Sequence, residues 1–495
     1  MLAWLIKNLK RLAILVGAVL VTFLAVRVCD AERGPPLEPW HTFVPDELSV
    51  AEMDRTDWAG YVAAEDRIFA AVRDEVSRTL PPEDRLPINC YFDGSPVYPP
   101  RLPRDWNRSQ AIAPQGPVRG AAVFLHGLTD SPYSLRHVAR RYAERGYVGL
   151  AVRLPGHGTV PGGLTGVTYA DWLAATRLAV REARRRAGPD APIDIVGYSN
   201  GGALALMYAI AAMDDPSLPK PARIVLVSPM VGVTAFARFA GLAGLPALLP
   251  AFAKAAWLSR LPEFNPFKYN SFPVNAARQS YLLTQTLQAG IQGHLRNGLI
   301  EGFPPVLTFQ SVLDHTVSTS AVVSALHVHL AAGRSELVLF DVNRNAKVDE
   351  LLRASAQTAL DRLLPPPPWP FPLGVVTNRD PEGEATEARV TEAGASLTTA
   401  RPLDLAYPRD VYSLSHIALP FPVDDGLYGT EPSDDPAVDF GVRLGTVAAR
   451  GERDALVVGL DVLMRMSSNP FMPYLLDKVG EGLPPAGGAP AAPGG

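Results

Sequence analysis

Six short apolar runs punctuate residues 119–342, and amphipathic stretches separate most of them. The runs are AAVFLHG, VGLAV, IDIVGYS, ARIVLVSP, PVLTFQ and ELVLFDV. Each is near-continuous in apolar residues and closes on a turn signal, which suits strands buried on both faces. Between them, residues 131–147, 168–188 and 200–213 repeat apolar positions near a 3.6 period, and Gly146 and Gly188 stand at stop positions. Alternation of strand and helix at this spacing predicts right-handed crossovers and a mostly parallel α/β sheet.

The pattern breaks after VSPMVGV. Residues 234–304 carry apolar helical stretches, 236–261 and 279–299, and no strand signal. Residues 343–410 read as an irregular insertion holding LLPPPPWPFP, with GVVTNR and EARVTEA as short strands. Upstream, residues 32–118 are Pro-rich at both ends, and between these the stretch 48–80 reads as a helix. Residues 419–495 form a C-terminal region ending in the disordered tail PPAGGAPAAPGG.

The first 31 residues are a targeting segment. Lys7, Lys10 and Arg11 precede an uncharged run from Leu12 to Val26. That run spans about 22 Å, short of a ~30 Å hydrocarbon core, unless Arg27 snorkels and lets Val28 join it. A signal anchor with its basic flank in the cytoplasm and a signal peptide cut near Cys29-Asp30-Ala31 are both open. Either places the bulk of the chain on the extracytoplasmic, periplasmic side.

Composition narrows the function. The chain has 495 residues, 47% apolar and 19% charged, which excludes a wholly disordered chain. The net charge of −4 gives no reason to propose a nucleic-acid partner. Two cysteines, Cys29 and Cys90, exclude a disulfide scaffold and a Cys-rich zinc site. Pro at 48 residues predicts long, stiff loops.

The chemistry centres on Gly197-Tyr198-Ser199-Asn200-Gly201. It fits G-x-S-x-G and lies between a strand and a helix, the context in which such a serine is lifted above the sheet edge at a helix N-terminus. Its hydroxyl is then a candidate nucleophile, and the helix dipole favours a developing oxyanion. A second donor must come from the loop His126-Gly127-Leu128, so the Leu128 and Asn200 amides are the candidate oxyanion hole. His126 reads as structural.

HGLTDSPYSLRHVARRYAERGYVGLAVRLPGHG, the Asp171-Trp172 pair and GYSNGG together resemble the α/β-hydrolase superfamily. Within it they are similar to the branch of monoacylglycerol lipases, bacterial carboxylesterases and lysophospholipase-like enzymes, often labelled serine aminopeptidase S33-like. The resemblance covers 119–233 and, less closely, 305–342. It implies an eight-stranded, mostly parallel sheet with helices on both faces, a helical cap over 234–304, and a triad in the order Ser, acid, His. The acid should end the strand after the cap: Asp314 stands there, with Asp341 as runner-up. The base must follow the acid. His315 is tethered too closely to Asp314 to reach Ser199, and His327 and His329 read as ordinary residues. His416, in YSLSHIALPFP, fits the family's turn, at a greater distance past Asp314 than is usual; an insertion 343–410 looping out of the fold would account for the excess. His157, in Pro-Gly-His-Gly, reads as structural.

The set Ser199, Asp314, His416 implies a serine hydrolase acting on esters through an acyl-enzyme, with lipid or monoacyl esters favoured and no metal or organic cofactor needed. An acyltransferase or a short-chain carboxylesterase would use the same triad, and a membrane-tethered binding protein with an inactive hydrolase fold is the non-enzyme alternative. The sequence leaves the oligomeric state open.

Overall fold

The structure is a computed structural model. It describes residues 2–232, 243–331, 333–347, 352–447, 456 and 458–485. Helix α1 (Leu2–Arg33) is continuous and longer than the Leu12–Val26 run, because the apolar residues of LAWLI extend it toward the N-terminus. It is the one helix among the described residues long and apolar enough to cross a membrane. The stretch 48–80 is interrupted rather than one helix. Asp57 accepts from the Gly60 amide at 2.8 Å and caps a new start, so α2 runs Trp58–Val72.

A ten-stranded sheet follows, built from β1 (Gln110–Ile112), β2 (Gly120–Leu125), β3 (Tyr147–Val152), β4 (Ile193–Tyr198), β5 (Arg223–Val227), β6 (Val306–Ser311), β7 (Glu336–Phe340), β8 (Leu373–Asn378), β9 (Ala385–Thr391) and β10 (Thr398–Ala406). The spatial order is β1-β3-β2-β4-β5-β6-β7-β8-β9-β10. Strands β3 to β8 in that order pair parallel, and β1, β9 and β10 add antiparallel edges. The sheet is mostly parallel as expected, with ten strands in place of eight. The segment 343–410 does not loop out of the fold: its residues 373–406 extend the sheet. Short strands on an antiparallel edge leave little apolar signal, and β10 is largely exposed.

Successive strand residues face opposite layers. Ala121, Val123 and Leu125 pack with α4 (Tyr169–Ala187), α5 (Asn200–Asp214) and α6 (Val274–His294). Ala122 and Phe124 pack on the other face with α3 (Arg136–Glu144) and the C-terminal α8 (Met472–Glu481). The short α7 (Thr319–Ser324) lies between β6 and β7. Helix α4 starts on a capping box between Thr168 and Asp171 and stops at Gly188, whose φ of 99° a side chain would resist.

The cap expectation is corrected in part. Helix α6 forms, but residues 245–256 make 3-10 turns, because Pro246 and Pro250 remove donors and break any longer helix. Trp257–Ser259 then pairs with Phe272–Pro273 as a short ribbon. Phe236, Phe239 and Leu242, at the start of the apolar stretch 236–261, lie outside the described residues.

The C-terminal region is stitched to the core by Asp425. Its buried carboxylate accepts from Arg136, from Tyr133 Oη at 2.9 Å, from His137 Nε2 at 3.0 Å and from two backbone amides. Burial alone would raise its pKa; the Arg136 charge and the hydrogen bonds outweigh that and hold it far below the usual carboxylate range. Asp425→Ala leaves the Arg136 guanidinium buried and unpaired, so urea unfolding should show a loss of about 3–5 kcal/mol.

Candidate active site

Ser199 sits at the junction of β4 and α5 with φ 52° and ψ −115°. That backbone is strained for a non-glycine residue and is held by three hydrogen bonds: the Ser199 amide donates to Val227 O, and the Gly202 and Met230 amides donate to Ser199 O. The turn is possible only because its neighbours lack side chains. A Cβ on Gly201 would lie 1.9 Å from Leu125 O, and one on Gly197 would lie 2.4 Å from Gly201 O. Helix α5 therefore starts against the end of β2, beside the His126–Leu128 loop. A Cβ on Gly127 would be 3.4 Å from Ser199 Cβ.

Neither the Leu128 nor the Asn200 amide donates a hydrogen bond among the described residues. Asn200 opens α5, where N–H groups lack helical partners. His126 holds the loop: its Nδ1 bonds Gly127 O at 2.9 Å and its Nε2 accepts from the Leu154 amide at 3.1 Å. Burial pushes its pKa down to about 3, so it is neutral and structural. His157 packs its ring against His126 and Trp172.

Asp314 follows β6. His416 Nδ1 lies 2.8 Å from Asp314 Oδ2 across 102 residues of sequence. Asp314 Oδ1 accepts from the Thr316 and Val317 amides at 2.8 and 3.1 Å. Burial pushes its pKa up, but the His416 charge and these hydrogen bonds win and lower it. The ionised carboxylate can only accept, so Nδ1 is the donor in this contact and Nε2 faces away from it. Tyr198, next to Ser199, stacks on the His416 ring at 5.3 Å and donates from its hydroxyl to His416 O at 3.2 Å. The His416 loop is tied to β6 by Ser311 Oγ, which donates to Leu414 O at 2.8 Å. Asp341 is engaged elsewhere, by the Val342 amide, Thr377 Oγ1 and Arg344. His327 bonds Thr308 Oγ1 and His315 is exposed.

Two contributors carry no motif. Gln310 Nε2 donates to Asp314 Oδ2 at 3.1 Å and to Thr319 Oγ1 at 3.1 Å, fixing the carboxylate from the strand side. Tyr198 occupies a variable position of the G-x-S-x-G pattern, and only the fold reveals that it supports His416.

Residues 116–340 match the family model of serine aminopeptidase, S33. This chain carries an α/β-hydrolase core. Over 97 residues it is 35% identical to the thermostable monoacylglycerol lipase of Bacillus sp. (strain H-257), covering 20% of this chain and 37% of that lipase. The chain thus matches little more than a third of that relative's length. Similar solved structures include one of the metagenome-derived lipolytic enzymes LipS and LipT, 22% identical with TM-score 0.39, covering 53% of this chain and 98% of that one. The monoacylglycerol lipase of Paleococcus ferrophilus is 16% identical with TM-score 0.35, covering 52% and 97%.

The α/β-hydrolase core makes Gly201→Ala a sharp test of the elbow. The added methyl must push α5 off β2 and shift Ser199 by a sizeable fraction of an ångström. Ester turnover should fall at least about 100-fold, and thermal melting should show a lower midpoint, whereas Gly293→Ala, with open space around it and an ordinary helical backbone, should leave turnover close to wild type.

Proposed function

We propose that this chain is a serine hydrolase that cleaves carboxylic esters, with monoacyl lipid esters favoured, through Ser199, His416 and Asp314. The observation that carries the reading is the 2.8 Å contact of His416 with Asp314, set against a histidine ring stacked on the residue before Ser199. His416 Nε2 takes the Ser199 proton as Oγ bonds to the ester carbonyl carbon. The Leu128 and Asn200 amides hold the oxyanion. The imidazolium then protonates the leaving alcohol, and water, deprotonated by His416, releases the acid from the acyl-enzyme. The stretch of 97 residues that is 35% identical to a thermostable monoacylglycerol lipase supports the substrate class.

The same reading places α1 in a membrane, with the catalytic body on the extracytoplasmic side. The end of α1 is joined to the segment after the 3-10 turns: Arg260 donates to Ala31 O at 2.7 Å, and Lys254 pairs with Glu32 at 3.6 Å. Ala31 is buried there, which favours a retained anchor over a cleaved signal. Leu248 and Leu249 stand 80% and 59% exposed close to that end of the helix, an apolar surface suited to lipid contact.

Ser199→Ala and His416→Ala should each lower kcat for p-nitrophenyl esters by roughly 1000-fold or more, and the double variant should be little worse, because such groups act as a unit. Asp314→Asn should cost less. Near-wild-type turnover in His416→Ala would remove the base from the scheme. An alkaline phosphatase fused after residue 60 should be active in cells and stay in membranes through a carbonate wash; activity confined to cytoplasmic reporters would reverse the orientation.

A further inference from the structure

The turn that carries Asp314 reaches the surface: His315 and Thr316, the two residues after the acid, are exposed. The segment that meets it there belongs to the C-terminal region, past residue 340, where the family match ends. A short helix, Leu460–Met464, stops at Arg465. Leu463 and Met466, on either side of Arg465, are buried in an apolar cluster with Tyr133, Phe421 and Tyr428. Asn469 is wholly buried; its amide donates to Phe421 O at 2.7 Å and its Nδ2 to Leu419 O at 3.0 Å. The backbone around Arg465 is therefore fixed along the His416 loop by contacts that do not use the Arg465 side chain.

Arg465 touches both halves of the acid–base pair. Its Nη2 donates to Thr316 Oγ1 at 2.7 Å, and its carbonyl oxygen accepts from Ser415 Oγ at 2.8 Å. Thr316 is the residue whose amide donates to Asp314 Oδ1 at 2.8 Å, and Ser415 directly precedes His416. The contacts close a ring that runs from the Arg465 guanidinium through Thr316, Asp314, His416 and Ser415 back to the Arg465 carbonyl. Ser415 Oγ also accepts from the Ala418 amide at 3.2 Å, which braces the turn on the far side of His416. Gln310 and Ser311 hold the acid and the base loop from the strand side; Arg465 holds them from the exposed side. Its charge reaches inward as well. Burial, with the Asp130 and Asp314 charges, pushes the Tyr198 hydroxyl up, and the Arg465 charge works against that. An exposed hydrogen bond of this kind adds little to global stability. Its place in the ring gives it a larger effect on alignment, which turnover reads steeply.

We propose that Arg465 is a positioning residue for the reaction: its side chain and its carbonyl together set how far the Asp314 turn stands from the His416 loop. The proposal rests on the ester-hydrolase reading and gives the C-terminal region a part in it. Without the guanidinium, Thr316 loses its tie to the base loop, and the contact between His416 and Asp314 loosens. Arg465 touches neither Ser199 nor the 126–128 loop, so turnover falls while the apparent affinity for substrate stays.

The test measures kcat and KM for a p-nitrophenyl ester in full-length protein in detergent, with folding of each variant checked by circular dichroism. Arg465→Met keeps the backbone carbonyl and should lower kcat about tenfold with KM within about twofold of wild type. Arg465→Lys, whose ammonium can still donate to Thr316 Oγ1, should stay within about threefold in kcat. Thr316→Val removes the same bond, so its kcat should match that of Arg465→Met, and the double variant should be no lower than either. An Arg465→Met kcat within about twofold of wild type, a loss confined to KM, or single losses that multiply in the double variant overturns the proposal. Proton NMR supplies a readout independent of turnover. The downfield resonance of the His416 Nδ1 proton, identified by its absence in His416→Ala, should move upfield or broaden in Arg465→Met, and an unchanged resonance contradicts the clamp. Should Ser199→Ala turn over ester as wild type does, the hydrolase reading fails, and the resonance still decides the part played by Arg465.

Discussion

Everything at this site depends on how closely helix α5 approaches the end of β2. Gly201 sits where a single methyl would lie 1.9 Å from Leu125 O, so backbone meets backbone with no side chain between. That approach does three things at once. It bends the chain sharply enough to hold Ser199 at φ 52°, it points the unbonded start of α5 at the serine, and it brings the His126–Leu128 loop alongside. The strain is local, and the cost is met by burial: β2 and β4 are wholly buried, and their register pairs Leu125 with Gly197.

The second constraint is long-range. His416 and Asp314 are far apart in sequence and reach each other because β6 ends where the return loop from β10 passes. Ser311 fastens that loop and Gln310 fastens the acid, one residue from each other on the same strand. Adjacent residues of a strand point to opposite faces, so one strand end serves two elements. The sheet extension β8–β10 occupies much of the path between acid and base, which explains 102 residues of sequence beside a 2.8 Å contact in space.

Much of this was legible in the sequence and some was not. Near-continuous apolar runs mark β2 to β7, because a strand buried on both faces has no alternation to blur it. The elbow was legible because its glycines leave the turn no substitute. The 3-10 turns at 245–256 were missed because their apolar content is helical in period, while Pro246 and Pro250 decide against it. GVVTNR and EARVTEA read as short strands and form β8 and β9, but their place in the main sheet has no local signal, and β10 is missed because it is exposed and carries little core pattern. Tyr198, Gln310 and Asp425 act through contacts made only after folding, and nothing local in their neighbourhood announces them.

The central claim is that His416, oriented by Asp314, activates Ser199. Labelling with a fluorophosphonate probe, followed by peptide mass spectrometry, tests it most directly, since the adduct forms only on an activated serine. The account predicts one adduct, on Ser199, that is lost in His416→Ala protein shown to be folded by circular dichroism. An adduct on another serine, or undiminished labelling of Ser199 in that variant, would contradict it.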